Sequence, residues 1–84
     1  MRLIERIIAW ENLTEAHRMA VLEGAESDEM IQFDATLWES LGALQMELLW
    51  GTYQSGHGHR DRVAHYAITA ALLKTIIGPE EQPP

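Results

Sequence analysis

The 84-residue sequence contains no cysteine, and this absence excludes a disulfide-stapled scaffold and a zinc site built from thiolates. Basic residues are also scarce, since 6 lysines and arginines stand against 13 aspartates and glutamates, for a net charge of −7. Such a charge argues against DNA, RNA or an anionic membrane as the main partner. The short length also excludes the large catalytic folds, so we expect one domain.

Long uninterrupted apolar runs are missing as well. The longest apolar stretch, residues 63–77, contains His65 and Lys74 and is shorter than the roughly 20 apolar residues of a membrane-spanning helix. The N-terminal segment is interrupted by Glu5 and Arg6 and no small-residue cleavage site follows it, so it does not have the pattern of a secretory signal. We therefore expect a cytoplasmic protein without a membrane partner.

Strand signals are weak, because no segment alternates apolar and polar residues and the Asn-Gly hairpin dipeptide does not occur. Helical spacing of apolar residues instead predicts an all-α fold, a small bundle of three to four helices. The N-terminal pattern predicts a helix over residues 2–11 and a second over 14–23, with Asn12 as a stop and Thr14 as an N-cap. One continuous helix over residues 2–23 is the alternative interpretation.

The middle of the chain predicts one long central helix over about residues 28–54, because no glycine–proline punctuation interrupts it. Gly42 and Gly51 lie inside this span, and a kink or a close helix contact is expected there. A C-terminal helix over about residues 60–77 is expected to pack antiparallel to the long helix. We predict a single helical domain over residues 1–78 and a flexible, acidic and proline-rich tail over 79–84.

Apolar residues occupy two sides of the long helix and two sides of the C-terminal helix. A helix that is apolar on two sides must be buried on two sides, and a bundle of this size can bury only one helix in this way. We therefore predict that the surplus apolar surface forms an interface, either the self-association seam of a homo-oligomer or a docking site for a protein partner. Burial beneath the first two helices is the alternative. The core face of the long helix is centred on Leu41 and includes Met30, Ile31, Leu37, Trp38, Leu44, Leu48 and Leu49. The predicted partner-binding residues are Met46, Trp50, Tyr53, Tyr66, Leu73 and Ile77.

Two polar residues of the long helix lie at its core face. Asp34 falls near the middle of the apolar stripe, and a buried carboxylate requires a partner, for which Arg6, Arg18 and His17 are the candidates. The alternative is that the start of the helix frays and Asp34 meets water. Gln45 borders the apolar face and is predicted to form a hydrogen bond across the bundle.

The glycine-rich loop before the C-terminal helix contains the most reactive side chains. The H-x-H-x-D spacing of His57, His59 and Asp61 resembles the start of the metal-binding motif of metallo-β-lactamase-type hydrolases. Arg62 stands where that motif has a further histidine, and the chain contains no second ligand set, so we expect no metal site. A small anion such as a nucleotide is the alternative ligand of this loop. The residues predicted to hold it are His57, His59, Arg60 and Arg62.

Catalytic patterns are absent from the sequence. It has no cysteine nucleophile, no serine on a recognisable nucleophile elbow and no E-x-x-H pair of the di-iron bundles, so we predict neither enzyme activity nor a cofactor. The favoured function is protein binding by a small acidic module that acts as an inhibitor, an adaptor or an assembly subunit. Small acidic proteins are common among phage and mobile-element inhibitors of host machinery, and this analogy of size and charge favours an inhibitor. A helical homo-oligomer that binds a small anionic ligand is the alternative.

Overall fold

A computed structural model of the chain describes residues 2–24, 28–56 and 58–77. These residues form only helices and the loops between them, so the all-α prediction is confirmed. The five helices are α1 (Leu3–Ile8), α2 (Trp10–Glu23), α3 (Asp28–Ala35), α4 (Leu37–Trp50) and α5 (His59–Ile77). None of the described helices combines the length and the apolar character that crossing a bilayer requires. The predicted tail over residues 79–84 lies outside the described residues.

The first two helices meet at a corner formed by Ala9, whose backbone is extended (φ −58°, ψ 136°). The sequence predicts a division here, but it places the break at Asn12 with Thr14 as the cap, and both residues lie inside α2. The side-chain amide of Asn12 is buried and donates hydrogen bonds to the carbonyl oxygens of Ile7 (3.0 Å) and Ala67 (2.9 Å). Asn12 therefore satisfies a carbonyl group that the end of α1 leaves without a helical partner, and it joins α1, α2 and α5.

The predicted long helix over residues 28–54 is two helices in the structure. They are divided at Thr36 (φ −119°, ψ 46°), whose hydroxyl donates a 3.0 Å hydrogen bond to the carbonyl oxygen of Gln32. The backbone N–H of Thr36 also donates to this carbonyl, at 3.2 Å, so the helix direction changes at Thr36 without loss of that bond. Apolar spacing alone does not predict such a change. The second helix ends early because Gly51 adopts a left-handed conformation (φ 72°) that glycine accepts without a Cβ clash.

Helix α5, predicted over residues 60–77, packs mainly against α2 and not against the long helix as expected. The two helices run antiparallel, because Asn12 near the start of α2 meets Ala67, whereas Gly24 at its end lies beside Arg62. Small side chains permit this close approach, since a stripe of alanines on each helix faces the other. The buried alanines are Ala16, Ala20, Ala64, Ala67 and Ala71.

The hydrophobic core lies where α2, α4 and α5 meet. Its largest fully buried side chains are Leu13, Leu41, Leu44 and Val63. Leu37 and Leu48 pack against this core, in agreement with the helical wheel. Ile31, Trp38 and Leu49 are exposed, contrary to the prediction, because the division at Thr36 and the small number of covering helices leave the edges of that face open.

A hydrogen bond across the bundle connects α4 to the first helix. The side-chain amide of Gln45 donates to the carbonyl oxygen of Ile8 at 2.8 Å. The prediction that Gln45 bonds across the bundle is therefore confirmed. This bond holds the end of α1 close to the side of α4 and so places the corner at Ala9 beside that helix.

Candidate interaction surface

Helix α4 has an apolar surface on the side that faces away from the core. Trp38, Met46, Leu49 and Trp50 are all exposed, and at about 100° per residue they fall within an arc of about 120°. Trp50 is 69% exposed and Trp38 is 64% exposed. At about 1.5 Å per residue, the surface from Trp38 to Trp50 extends roughly 18 Å along the helix.

Trp10 extends this surface from the start of α2. Its ring lies edge-on to that of Trp38, with centroids 5.8 Å apart and an interplanar angle of 76°. Its ring also lies over Gly42, where an added Cβ atom would be 3.7 Å from the indole. Trp10 remains 44% exposed, so all three tryptophans of the chain lie on one open surface. We call this surface the tryptophan face, and its residues are Trp10, Trp38, Met46, Leu49 and Trp50.

The charge on this surface is negative. Glu39 lies on the exposed side of α4, in the same arc as Met46 and Trp50, and forms no ion pair with any residue in the described part of the chain. Four of the basic residues form ion pairs with acids of the same chain, and the other two line a hollow with Glu11. The four ion pairs are Arg2–Glu5, Arg18–Glu15, Arg60–Glu47 and Arg62–Glu23, and the other two basic residues are Arg6 and Lys74.

Of the six predicted partner-binding residues, Met46 and Trp50 lie on the tryptophan face, and Tyr53 lies behind the end of α4. Tyr53 is half-buried against the core, and its hydroxyl donates a hydrogen bond to the carboxylate of Asp61. The guanidinium of Arg60 lies 5.6 Å from the centroid of its ring. Burial and the hydrogen bond to Asp61 raise the pKa of Tyr53 to about 12. Tyr53 therefore fastens the start of α5 to the end of α4 and is not part of the open surface.

The other three predicted partner-binding residues lie on α5, away from the tryptophan face. Tyr66 and Leu73 line an open, mainly apolar groove of about 290 Å³ between α2 and α5. The hydroxyl of Tyr66 donates to Glu23, and Ile77 is exposed at the end of the helix. A helical wheel gives the angle of a residue but not the neighbour that it meets, so the sequence could not separate these two surfaces. The remaining residues of the groove are Asn12, Glu15, Ala16, Met19, Thr69 and Ala70.

The residues predicted to hold an anion are engaged within the bundle. His59 is buried, Arg60 forms an ion pair with Glu47, and Arg62 lies 3.5 Å from a carboxylate oxygen of Glu23. The hydrogen bond from Arg60 lowers the pKa of Glu47. His57 lies outside the described residues. Among the described residues, Arg60 and Arg62 thus lie beside acidic partners and His59 is buried, so these three do not surround an open pocket.

A buried histidine pair is the polar feature that the sequence analysis missed. His17 Nδ1 and His59 Nε2 are 2.9 Å apart, and His17 Nε2 lies 3.3 Å from a carboxylate oxygen of Asp34. The ring of Phe33 packs against both histidines, with centroids 5.2 Å and 5.0 Å away. Asp34 therefore pairs with one of its three candidate partners, and its side chain is 68% exposed, so it meets water as the alternative interpretation expects and is not buried in the core.

The hydrogen bonds of this pair define the roles of its ring nitrogens. When His17 Nε2 donates to Asp34, Nδ1 of the neutral ring accepts, and His59 Nε2 must donate to it. Burial lowers the pKa of His59, and the neighbouring His17 lowers it further. The backbone N–H of His59 donates to the carboxylate of Glu29, which places an anion at the positive end of α5. His17 follows Leu13 by about one helical turn, and Leu13 is fully buried. This spacing was the feature of the sequence that could have predicted the burial of His17.

The histidine pair holds α3 against α2 and α5 and is not arranged as a metal centre. Within the described residues, no group of three or more histidine, cysteine, aspartate or glutamate side chains is placed to hold a metal ion. Comparisons with protein-family models, with curated proteins and with solved structures found no match. The tryptophan face is the candidate site among the described residues.

Proposed function

We propose that this chain is a small acidic protein-binding module that acts as an inhibitor, an adaptor or an assembly subunit through the tryptophan face. The observation that supports the proposal most strongly is the exposure of all three tryptophans on one surface. Aromatic residues and methionine are enriched in the centres of protein interfaces, and contiguous exposed apolar patches mark interaction sites. No catalytic role is part of the proposal.

The size of the exposed rings makes such an interface energetically reasonable. Burial of about 150 Å² of indole surface, at about 25 cal/mol per Å², contributes roughly 4 kcal/mol before the entropic costs of association. Trp50 and Trp38 each leave more than half of their surface open. Tryptophan is also the residue type most enriched among interface positions that dominate the binding energy. Two such anchors on one helix supply the centre that a specific interface requires.

The alternative, a homo-oligomer that binds a small anion, has no comparable support. His59 is buried, and Arg60 and Arg62 each contact a carboxylate of the same chain. An incoming phosphate would have to displace Glu47 or Glu23 before it could use either guanidinium. We therefore favour protein binding.

The test is the replacement of Trp50 by alanine. Proteins captured from a lysate of the native host by the tagged wild-type chain are identified by mass spectrometry and then titrated, as purified proteins, by calorimetry. We expect Trp50→Ala to weaken the measured binding by about 2 kcal/mol or more, roughly 30-fold in Kd. Ile76→Ala is the matched control, because Ile76 is 78% exposed but lies on α5, and we expect it to bind as the wild type does.

Denaturant unfolding of both variants separates binding from folding. A Trp50→Ala chain with nearly unchanged stability and weakened binding supports the proposal. A chain that binds its partner with full affinity but loses several kcal/mol of stability would show that Trp50 belongs to the core, and the proposal would then be wrong.

A further inference from the structure

We propose that the segment bound by the tryptophan face is a cationic amphipathic helix of another protein and not a second copy of this chain. The inference rests on the proposed function and adds the chemistry of the occupant. Three features of the described residues support the inference: the dimensions of the tryptophan face, the distribution of charge around it and the repulsion between two copies of the chain.

The dimensions of the tryptophan face match a helix. The face is a ridge about 18 Å long on the outside of α4, which corresponds to about three turns of a partner helix. A helix that places apolar residues at i, i+3 or i+4, and i+7 could lie along this ridge and contact the two ends of the face, near Trp38 and near Trp50. Both rings are mostly open to such a partner.

The charge around the face favours basic residues on that helix. Four of the six basic side chains form ion pairs with acids of the same chain, and the other two line a hollow with Glu11. One of these pairs, Arg60–Glu47, has its carboxylate on α4 about one turn from Trp50. Glu39 lies among the exposed residues of α4 without a cation beside it in the described part of the chain. Lysine or arginine at the flank of the apolar stripe of a partner would meet Glu39 and would also be attracted by the net charge of −7.

The same charges oppose a second copy as the occupant. In a two-fold dimer the same surface faces itself, so each subunit would bring Glu39 to the interface. Two chains of charge −7 also repel each other, and their faces carry no basic residue to compensate. A heterologous cationic helix removes both sources of repulsion.

Two synthetic helical peptides test this inference on the full chain. They share one leucine pattern at helical spacing, and one peptide has lysine at every flanking position where the other has glutamate. Binding is followed by calorimetry and by tryptophan emission, which reports only the tryptophan face because all three tryptophans lie on it. We expect the lysine peptide to bind with a blue shift of the emission and at least about tenfold more tightly than the glutamate peptide.

Matched variants show whether the attraction is local. We expect Glu39→Gln to weaken binding of the lysine peptide by about threefold or more, and Trp50→Ala to weaken it further. Glu15→Gln is the control, because it changes the net charge equally but lies in the groove between α2 and α5. It should reduce the affinity less than Glu39→Gln does.

Several results would overturn the inference. These are equal binding of the two peptides, no binding of either, an equal effect of Glu39→Gln and Glu15→Gln, and a dimer seen by light scattering whose tryptophans are buried without peptide. If these results occur while a captured protein still depends on Trp50, the cationic partner is wrong and the proposed function stands. If that dependence is also missing, the proposed function fails with it.

Discussion

At the scale of single residues, His17 and His59 form a contact that depends on their protonation. A hydrogen bond between two imidazoles needs one unprotonated nitrogen, and two charged rings at 2.9 Å would repel each other. The carboxylates of Glu29 and Asp34 face the pair from α3, and the guanidinium of Arg62 faces it from α5. Burial has the largest effect, and the pKa of His59 is therefore lower in the folded chain than its ordinary value.

This shift predicts that the histidine pair makes the fold less stable in acid. Because the pKa of His59 is lower in the folded than in the unfolded chain, the unfolded chain binds the proton more readily. The contribution of His59 to the free energy of unfolding is complete above its ordinary pKa of 6.5 and is lost as the pH falls towards its folded-state pKa. Denaturant unfolding at a series of pH values from about 7 to about 5 measures this loss.

The decisive comparison is with His59→Gln, which cannot titrate. We expect this variant to lose less stability than the wild type over the same pH range, whereas His65→Gln, at an exposed position of the same helix, should follow the wild type. If the free energy of unfolding fell equally with pH in the wild type and in His59→Gln, His59 would not be the group responsible for the loss. The carboxylates titrate in both chains, so their contribution cancels in the difference between the two free energies of unfolding.

At the scale of helices, local spacing predicts where helices occur better than it predicts where they divide. The bounds of α5 follow from the apolar pattern and helix-ending residues, whereas the division between α1 and α2 is predicted at Asn12 and lies instead at Ala9. The division at Thr36 does not follow from the sequence pattern, because threonine is compatible with a helix. The sequence also does not predict that α5 packs against α2. Both helices carry buried alanines, but their pairing is decided only when the bundle assembles.

The docking of α3 depends on Phe33, which is buried against the two histidines. Truncation of a buried phenylalanine leaves a cavity, and we expect Phe33→Ala to reduce the free energy of unfolding by about 3 kcal/mol. Ile31→Ala is the control on the same helix, since Ile31 is exposed and its truncation should cost under about 1 kcal/mol.

Denaturant unfolding gives both values, and amide hydrogen exchange should show that the protection lost in Phe33→Ala is concentrated in α3. Equal losses in the two variants, or an unchanged stability of Phe33→Ala, would show that Phe33 does not anchor this helix.

At the scale of the whole molecule, the chain combines an acidic composition with an apolar surface that its own helices leave open. A chain of this length buries only about 60–65% of the surface of its unfolded state, so a high apolar content produces surplus surface. The helical wheels predict this surplus and place Met46 and Trp50 in it, and both are exposed. The wheels do not predict that Trp10 and Trp38 are exposed. Their exposure depends on the direction in which the chain turns between α1 and α2 at Ala9, and on the absence of a covering helix at this edge of α4 among the described residues.

The net charge and the tryptophan face act together in this account. We infer that the charge of −7 disfavours association of copies of the chain, which would leave the open apolar surface available to a partner of opposite charge. If the tryptophans were buried in the single chain, only its acidic composition would indicate a binding protein. The accessibility of the three indoles is therefore the property on which the account depends.

Acrylamide quenching of tryptophan fluorescence, at a concentration where light scattering gives the mass of a monomer, measures that accessibility directly. We predict that the emission resembles that of indole in water and is quenched readily, because Trp38 and Trp50 are mostly exposed and Trp10 nearly half exposed. A blue-shifted emission that acrylamide quenches poorly in the monomer would contradict the account.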